Sequence, residues 1–207
     1  MIEISNILDV EKHIDGVDVV LFDLDDTLYP EKDYVKSGFD AIGRAYPNVK
    51  GLSKKLYLAF LDNKSAIDYV LEQEGLLKEK ENCLFIYRNH RPTIKLFPCV
   101  YEMLKRIGKQ KKLGLITDGR VSGQKSKIEV LGLDRIMDKI IITDELGGVE
   151  YRKPSTKSFF LMKEFFDSDY KKMCYVGDNF KKDSIAPKAL GIRFIFFNFK
   201  DGIYKSN

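Results

Sequence analysis

Val19-Val20-Leu21-Phe22-Asp23-Leu24-Asp25-Asp26-Thr27-Leu28-Tyr29 changes character in its middle. Val19 to Phe22 is apolar at every position, with no polar alternation. That pattern predicts a strand buried on both faces, as in a parallel sheet. Three carboxylates then follow within four residues. Acids at the end of a buried strand are costly unless a cation or hydrogen bonds compensate them. The carboxyl end of such a strand is also where open α/β sheets place their chemistry. Asp23 and Asp25 are two apart, so extended backbone puts them on one side, with Asp26 pointing away. Two converging carboxylates suit a hard cation such as Mg²⁺. They also suit a division of labour between a nucleophile and a proton donor.

Ahead of this stretch, Asn6 caps a short predicted helix through Ile14, with Ile7, Leu8 and Val10 at helical spacing. Behind it, from Glu31 to about Arg91, no buried strand is evident. Tyr34, Phe39, Ile42 and Tyr46 form one helical stripe. Leu52, Leu56 and Phe60, then Ile67, Val70 and Leu71, then Leu84, Phe85 and Tyr87 form others. The aromatics read as core. Tyr29, Tyr34, Arg44 and Arg91 are open to either pocket lining or packing. The expectation is an all-helical insert over 31–91, placed to act as a lid, within an α/β core made of 1–30 and 92–207.

The α/β rhythm resumes with a helix whose first turn holds Pro98 and which ends at Gly108. Leu113 to Thr117 predicts a second strand, and Val121 to Leu131 a helix. Ile140 to Ile142 is a third strand, followed by Arg152-Lys153-Pro154 and an amphipathic helix through Phe159, Met162 and Phe166. Met173 to Val176 is a fourth strand ending in Gly177-Asp178-Asn179, and Arg193 to Phe197 a fifth. Alternation of this kind predicts a Rossmann-like parallel sheet of about five strands with helices on both faces.

The 207 residues are 44% hydrophobic, enough for a full core, and the net charge of +4 is dispersed. Lysines occur as doublets and not as a stripe, so no nucleic-acid partner is expected. Cys83, Cys99 and Cys174 are too few and scattered for a disulfide framework or a zinc motif, and each reads as a small buried or half-buried hydrophobe. No signal peptide and no membrane-length apolar run is present, which points to a cytoplasmic protein that does not engage membranes, a monomer or homodimer.

The strand ends now supply Asp23 and Asp25, Thr117 with Asp118, Lys153, and Asp178 with Asp183 nearby. Acids hold a metal, and a lysine and a hydroxyl hold phosphate oxygens, which is the inventory that phosphoryl transfer requires. The ordered set Asp23-x-Asp25-x-Thr27, Thr117, Lys153 and Gly177-Asp178-x-x-x-x-Asp183 resembles the four motifs of the haloacid dehalogenase-like (HAD) superfamily, over nearly the whole chain.

The resemblance implies a Mg²⁺-dependent phosphatase acting on a small phosphorylated metabolite, a sugar phosphate or a nucleoside monophosphate. Asp23 matches the nucleophile that becomes an aspartyl-phosphate. Asp25 matches the acid–base residue, its backbone carbonyl a metal ligand. Thr117 and Lys153 match the phosphate-holding pair, assisted at Leu24 and Asp118. Asp178 matches a metal-ligating carboxylate, Asp23 being a third ligand, and Asp183 a supporting acid. Thr27 reads as a local loop residue and Asp183 equally as a helix N-cap. The dehalogenating members resemble this fold but lack an acid at the position of Asp25, because halide leaves without a proton. Asp25 therefore speaks against carbon–halogen cleavage. A phosphomutase of the family, or a phosphoacceptor or phosphate-binding domain, are the alternatives.

Overall fold

The computed structural model describes residues 2–203. Its six strands are β1 (Ile2–Ile4), β2 (Val19–Phe22), β3 (Lys112–Thr117), β4 (Lys139–Ile142), β5 (Met173–Gly177) and β6 (Arg193–Phe197), in one parallel sheet of order β1-β6-β5-β2-β3-β4. β2 is central, and every one of its side chains is buried. Leu21 pairs with Gly114 of β3 on one side and Tyr175 of β5 on the other. The chain leaves β2 for β3 and β4 and returns to β2's other flank as β5. The order thus reverses between β2 and β5, the crevice where open α/β sheets bind ligands.

β1 is an additional strand beyond the expected five. It is three residues long and buries only Ile4, so its sequence carries no periodic signal. It forms because Ile2, Glu3 and Ile4 extend the sheet edge along β6. The segment after it is a 3₁₀ helix (Ile7–His13), capped by the Asn6 side chain, which accepts from the Leu8 amide.

One face of the sheet presents Val19, Leu21, Ile116, Ile141, Met173 and Tyr175 to helix α7 (Lys157–Phe166), whose Phe159 and Met162 are buried against them. Gly114 makes that approach possible. A Cβ there would lie 2.5 Å from Leu21 Cδ2 and 3.2 Å from Met162 Sδ. Gly114→Ala is accordingly expected to cost about 1–3 kcal/mol by overpacking, read in urea unfolding; a change under about 0.5 kcal/mol would contradict the packing. Helix α5 (Val100–Gly108) buries Val100, Met103, Leu104 and Ile107 at i, i+3, i+4, i+7. It starts two residues after Pro98, not around it, because Cys99 takes a left-handed conformation (φ 63°) immediately before the first turn. Cys99 is exposed, unlike the buried Cys83 and Cys174, so the expectation of burial holds for two of the three.

The chain separates into two compact units, residues 1–31 with 95–207 and residues 32–94. The second unit is helical. It contains most of α1 (Glu31–Ala45), with α2 (Leu52–Leu61), α3 (Ala66–Gln73) and α4 (Lys80–Asn89). Phe39 packs on Phe60 and Tyr87 with ring centroids 6.3 and 5.5 Å apart. Gly38 lets Tyr87 in, since a Cβ there would sit 2.5 Å from its ring. Tyr34 joins the same aromatic cluster, edge-on to Tyr87 and tilted against His90. No helix among the described residues is long and apolar enough to cross a membrane.

Candidate active site

The carboxyl ends of β2, β3 and β5 and the loop after β4 converge on one pocket in the first unit. It is lined by Asp23, Asp25, Glu31, Asp118, Lys153, Asp178, Asn179, Lys182 and Asp183, and its cavity volume is about 90 Å³. Ligand pockets for whole drug-sized molecules run to several times that. This one has room for a phosphoryl-sized group and offers charged or polar side chains on every side.

Asp23 directly follows β2, its amide donating to the Val176 carbonyl of β5 at 2.9 Å, which fixes the residue at the strand end. Its Oδ1 takes a hydrogen bond from Lys153 Nζ at 2.5 Å. Lys153 is buried, and its ammonium also meets Asp183 Oδ1 at 2.9 Å and the Tyr175 hydroxyl at 2.9 Å. Three acceptors therefore match its three hydrogens. Burial would lower the Lys153 pKa, but Asp183 and Asp23 outweigh it and hold the amine well above its ordinary value. One ammonium cannot neutralise two carboxylates. Burial thus pushes Asp23 up to about 7, partly offset by Lys153.

Asp25 turns to a different set of donors. Lys127 Nζ lies 2.7 Å from its Oδ1, the Tyr29 hydroxyl donates to the same oxygen, and Gln124 Nε2 lies 2.9 Å from Oδ2. Burial raises its pKa, but Lys127, Tyr29 and Gln124 together bring it below the ordinary carboxylate range. Glu31 lies in the same pocket, and burial beside Asp25 pushes its carboxyl up to about 8.

Thr117, at the end of β3, is buried, and its hydroxyl receives Gln124 Nε2 at 2.8 Å. Asp118 accepts from Thr143 Oγ1 at 2.9 Å and from the Lys153 amide at 3.1 Å, which ties the β3 and β4 loops together. Gly119 then adopts φ +134°, a turn in which a side chain would press on Gln124. The Leu24 side chain is fully buried, and its carbonyl accepts the Thr27 and Leu28 amides at 3.3 and 3.0 Å. Asp26 is a turn residue. It sits at φ 52°, accepting from the amides of Glu31 and Ile203.

Two expectations need correction. Thr27 does not bond its own loop; its hydroxyl reaches Asp178 Oδ1 across the sheet at 3.2 Å, because β5 lies beside β2. Asp183 is not an N-cap. Asn179 caps α8 (Phe180–Asp183), and Asp183 ends it, its Oδ2 accepting the Asn179 amide at 2.9 Å and its Oδ1 meeting Lys153 and the Tyr175 hydroxyl.

Asp23, Asp178 and Asp183 each offer a carboxylate oxygen within 4.8 Å of the others. Asp183 spends both oxygens on protein donors, whereas Asp23 and Asp178 each keep one that no donor among the described residues reaches. Burial, then the charges of Asp23 and Asp183, push Asp178 up to about 9. Three carboxylates against the single ammonium of Lys153 leave an under-compensated all-oxygen cluster, which fits a hard divalent cation such as Mg²⁺. The Asp25 side chain is outside this trio.

The charge imbalance has a measurable sign. Asp23 and Asp178 bind protons more tightly folded than unfolded (ordinary value 3.8). Their contribution is therefore fully present below about pH 4 and lost as pH rises through about 7 and then 9. Metal-free protein should show a falling Tm between pH 5 and 9, by about 3 °C for each kcal/mol, and millimolar Mg²⁺ should flatten the fall. A metal-free Tm that is level or rising over that range would contradict it.

Sequence reasoning did not assign Gln124, Lys127 or Tyr175, and left Tyr29 open. Gln124 carried a signal. It sits at i, i+4, i+7 with Ile128 and Leu131, a polar residue on an otherwise apolar stripe. Tyr175 carried none, because its hydroxyl is hidden in a buried strand.

A parallel sheet with carboxylates, a lysine and a hydroxyl at its switch point has the parts that phosphoryl chemistry uses, and the family comparison supplies the class. Residues 20–197 match the model of the haloacid dehalogenase-like hydrolases, and the chain belongs to that family. Among curated proteins it resembles pyrophosphatase PpaX of Bacillus cereus, 26% identical over 170 residues, covering 79% of this chain and 75% of that one. It also resembles the glyceraldehyde 3-phosphate phosphatase of Methanocaldococcus jannaschii, 28% identical over 200 residues, covering 88% and 86%. Among solved structures, a subfamily IA HAD hydrolase of Geobacter sulfurreducens superposes with a TM-score of 0.69 at 16% identity, covering 87% of both chains. The HAD hydrolase YfnB of Bacillus subtilis, whose structure has magnesium bound, gives 0.64 at 16%, covering 88% and 87%. At such identities the structural likeness establishes the fold alone.

Proposed function

We propose that the chain is a Mg²⁺-dependent phosphomonoester hydrolase working through an aspartyl-phosphate at Asp23, on a small phosphorylated metabolite, with the helical unit as its cap. The observation that carries this is the placement of Asp23 in one polar pocket with Lys153 on its oxygen, Asp25 two residues on, and Asp178 facing it. The phosphatase names of the two curated relatives support the same reading.

In this reading Asp23, its other oxygen oriented by the grip of Lys153, attacks phosphorus. The bond from phosphorus to the ester oxygen breaks, and the leaving oxygen takes a proton from Asp25. The charge of an arriving phosphoryl group raises the proton affinity of Asp25 against the pull of Lys127, so the residue can carry that proton. Once the alcohol leaves, Asp25 as a carboxylate draws a proton from the water that attacks the aspartyl-phosphate, and the bond from phosphorus to the Asp23 oxygen breaks, releasing phosphate and restoring the Asp23 carboxylate. Thr117 and the Leu24 and Asp118 segments hold phosphoryl oxygens. Asp23, Asp178 and the Asp25 carbonyl would hold Mg²⁺, with Asp183 supporting Lys153. The ion, when bound, neutralises charge between carboxylates and phosphoryl oxygens.

A panel of pyrophosphate, glyceraldehyde 3-phosphate, sugar phosphates and nucleoside monophosphates, assayed for phosphate release with Mg²⁺ and with chelator, tests the proposal. Turnover on at least one compound that chelator abolishes is expected. No release from any of them by folded, Mg²⁺-supplied protein would count against hydrolysis.

A further inference from the structure

Helix α6 (Val121–Val130) turns two polar side chains inward. Gln124 and Lys127 are three residues apart, hence on one face, and are only 3% and 5% exposed. A helix that merely covered the sheet would place apolar residues there, because burying an amide and an ammonium costs free energy unless both are well paired. Both are paired to the same group. Gln124 Nε2 lies 2.9 Å from Asp25 Oδ2, and Lys127 Nζ lies 2.7 Å from Asp25 Oδ1. The same Gln124 nitrogen is 2.8 Å from Thr117 Oγ1 and 2.6 Å from the Asp118 carbonyl oxygen.

The direction of these bonds has a consequence for Thr117. An amide NH₂ can only donate, and its two hydrogens are shared among three acceptors; Thr117 Oγ1 is one of these, and its own hydrogen is directed elsewhere. The side chain stands at the carboxyl end of β3, beside Asp118 of the pocket. Asp25, for its part, is held on both oxygens, by Lys127 and the Tyr29 hydroxyl on Oδ1 and by Gln124 on Oδ2, which sets the plane of the carboxylate.

We propose that Gln124 and Lys127 are positioning residues for Asp25, fixing the plane from which its proton reaches the leaving oxygen, and that Gln124 also turns the Thr117 hydroxyl hydrogen toward the phosphoryl group. This rests on the reading of Asp25 as the acid–base residue. The step concerned is the one in which the bond from phosphorus to the ester oxygen breaks. The bonding pair stays on that oxygen, and the Asp25 proton joins it. An alkoxide needs that proton and a nitrophenolate does not, so misplacing Asp25 must harm this first step selectively for alkyl phosphates; hydrolysis of the aspartyl-phosphate is common to all substrates and does not enter kcat/KM.

The test is a series of phosphate monoesters from alkyl phosphates to p-nitrophenyl phosphate, run on the Mg²⁺-supplied enzyme with Gln124→Met, Lys127→Met and Asp25→Asn. Met keeps volume and removes the donor. Gln124→Met and Lys127→Met are expected to lower kcat/KM about 10²-fold on alkyl substrates and under about 5-fold on p-nitrophenyl phosphate, the scale of a general acid–base contribution. Gln124→Met alone should also raise KM for both, through Thr117. The ratio of the two kcat/KM values within one preparation is independent of the fraction folded, so a structural role would leave it unchanged. A steep leaving-group dependence in Asp25→Asn with none in the two Met variants would overturn the positioning proposal alone. No such dependence in Asp25→Asn would overturn the reading of Asp25, and this proposal with it.

Discussion

Asp23→Asn is expected to lower kcat for phosphate release by about 10⁴-fold or more, with the fold intact. The size follows from losing a covalent nucleophile rather than a supporting contact. Asn keeps the shape of Asp and a carbonyl oxygen for Lys153, but its amide is not a nucleophile toward phosphorus. The fold should survive because Lys153 retains Asp183 and the Tyr175 hydroxyl. Removing a buried carboxylate whose charge is already disfavoured relieves repulsion with Asp178 and Asp183. Steady-state assays with Mg²⁺, beside a melting curve, measure both halves. Retention of more than a tenth of wild-type kcat would sink the assignment of Asp23.

Lys153→Met should damage both activity and stability. Lys153 is the cation between Asp23 and Asp183, both buried. Taking away one partner of a buried ion pair typically costs about 3–5 kcal/mol, because the remaining charge is stranded. Here two carboxylates are stranded together, with Asp178 nearby. The loss should appear in urea unfolding at pH 7.5 without metal, and should shrink near pH 5, where the stranded carboxylates take up protons. That sign follows from linkage: in the variant the folded state binds the extra protons, so its stability rises as pH falls. Activity should fall together with stability, since nothing then holds Asp23 Oδ1. A cost under about 1 kcal/mol at pH 7.5 would show that Lys153 does not compensate the cluster.

Much of this arrangement was legible from strand ends. An unbroken apolar run followed at once by acids marks a strand buried on both faces with something polar at its tip, and Val19–Asp25 does this plainly. Repeating the reading at Thr117 and at Gly177-Asp178 placed those residues along one sheet edge, since parallel strands all end on the same side. What escaped the sequence did so for identifiable reasons. β1 is too short and too exposed to show alternation. Thr27 looked local because loop hydroxyls usually are, and its bond to Asp178 spans 151 positions that only the β2–β5 pairing brings together. Tyr175 reads as one more apolar residue of β5, and the hydroxyl that joins Lys153 to Asp183 is invisible to periodicity. Lys127 was one lysine among many; its burial depends on which face of α6 turns inward, which Gln124 could have indicated.

The most direct test of the central claim is to trap the intermediate. Enzyme mixed with a turned-over substrate and Mg²⁺ would be acid-quenched within milliseconds, reduced with borohydride and digested for peptide mass spectrometry. Reduction of an aspartyl-phosphate converts that aspartate to homoserine. The expected result is homoserine at Asp23, dependent on substrate and absent from Asp23→Asn. Unmodified Asp23 throughout rapid turnover, or homoserine at another carboxylate, would contradict the account.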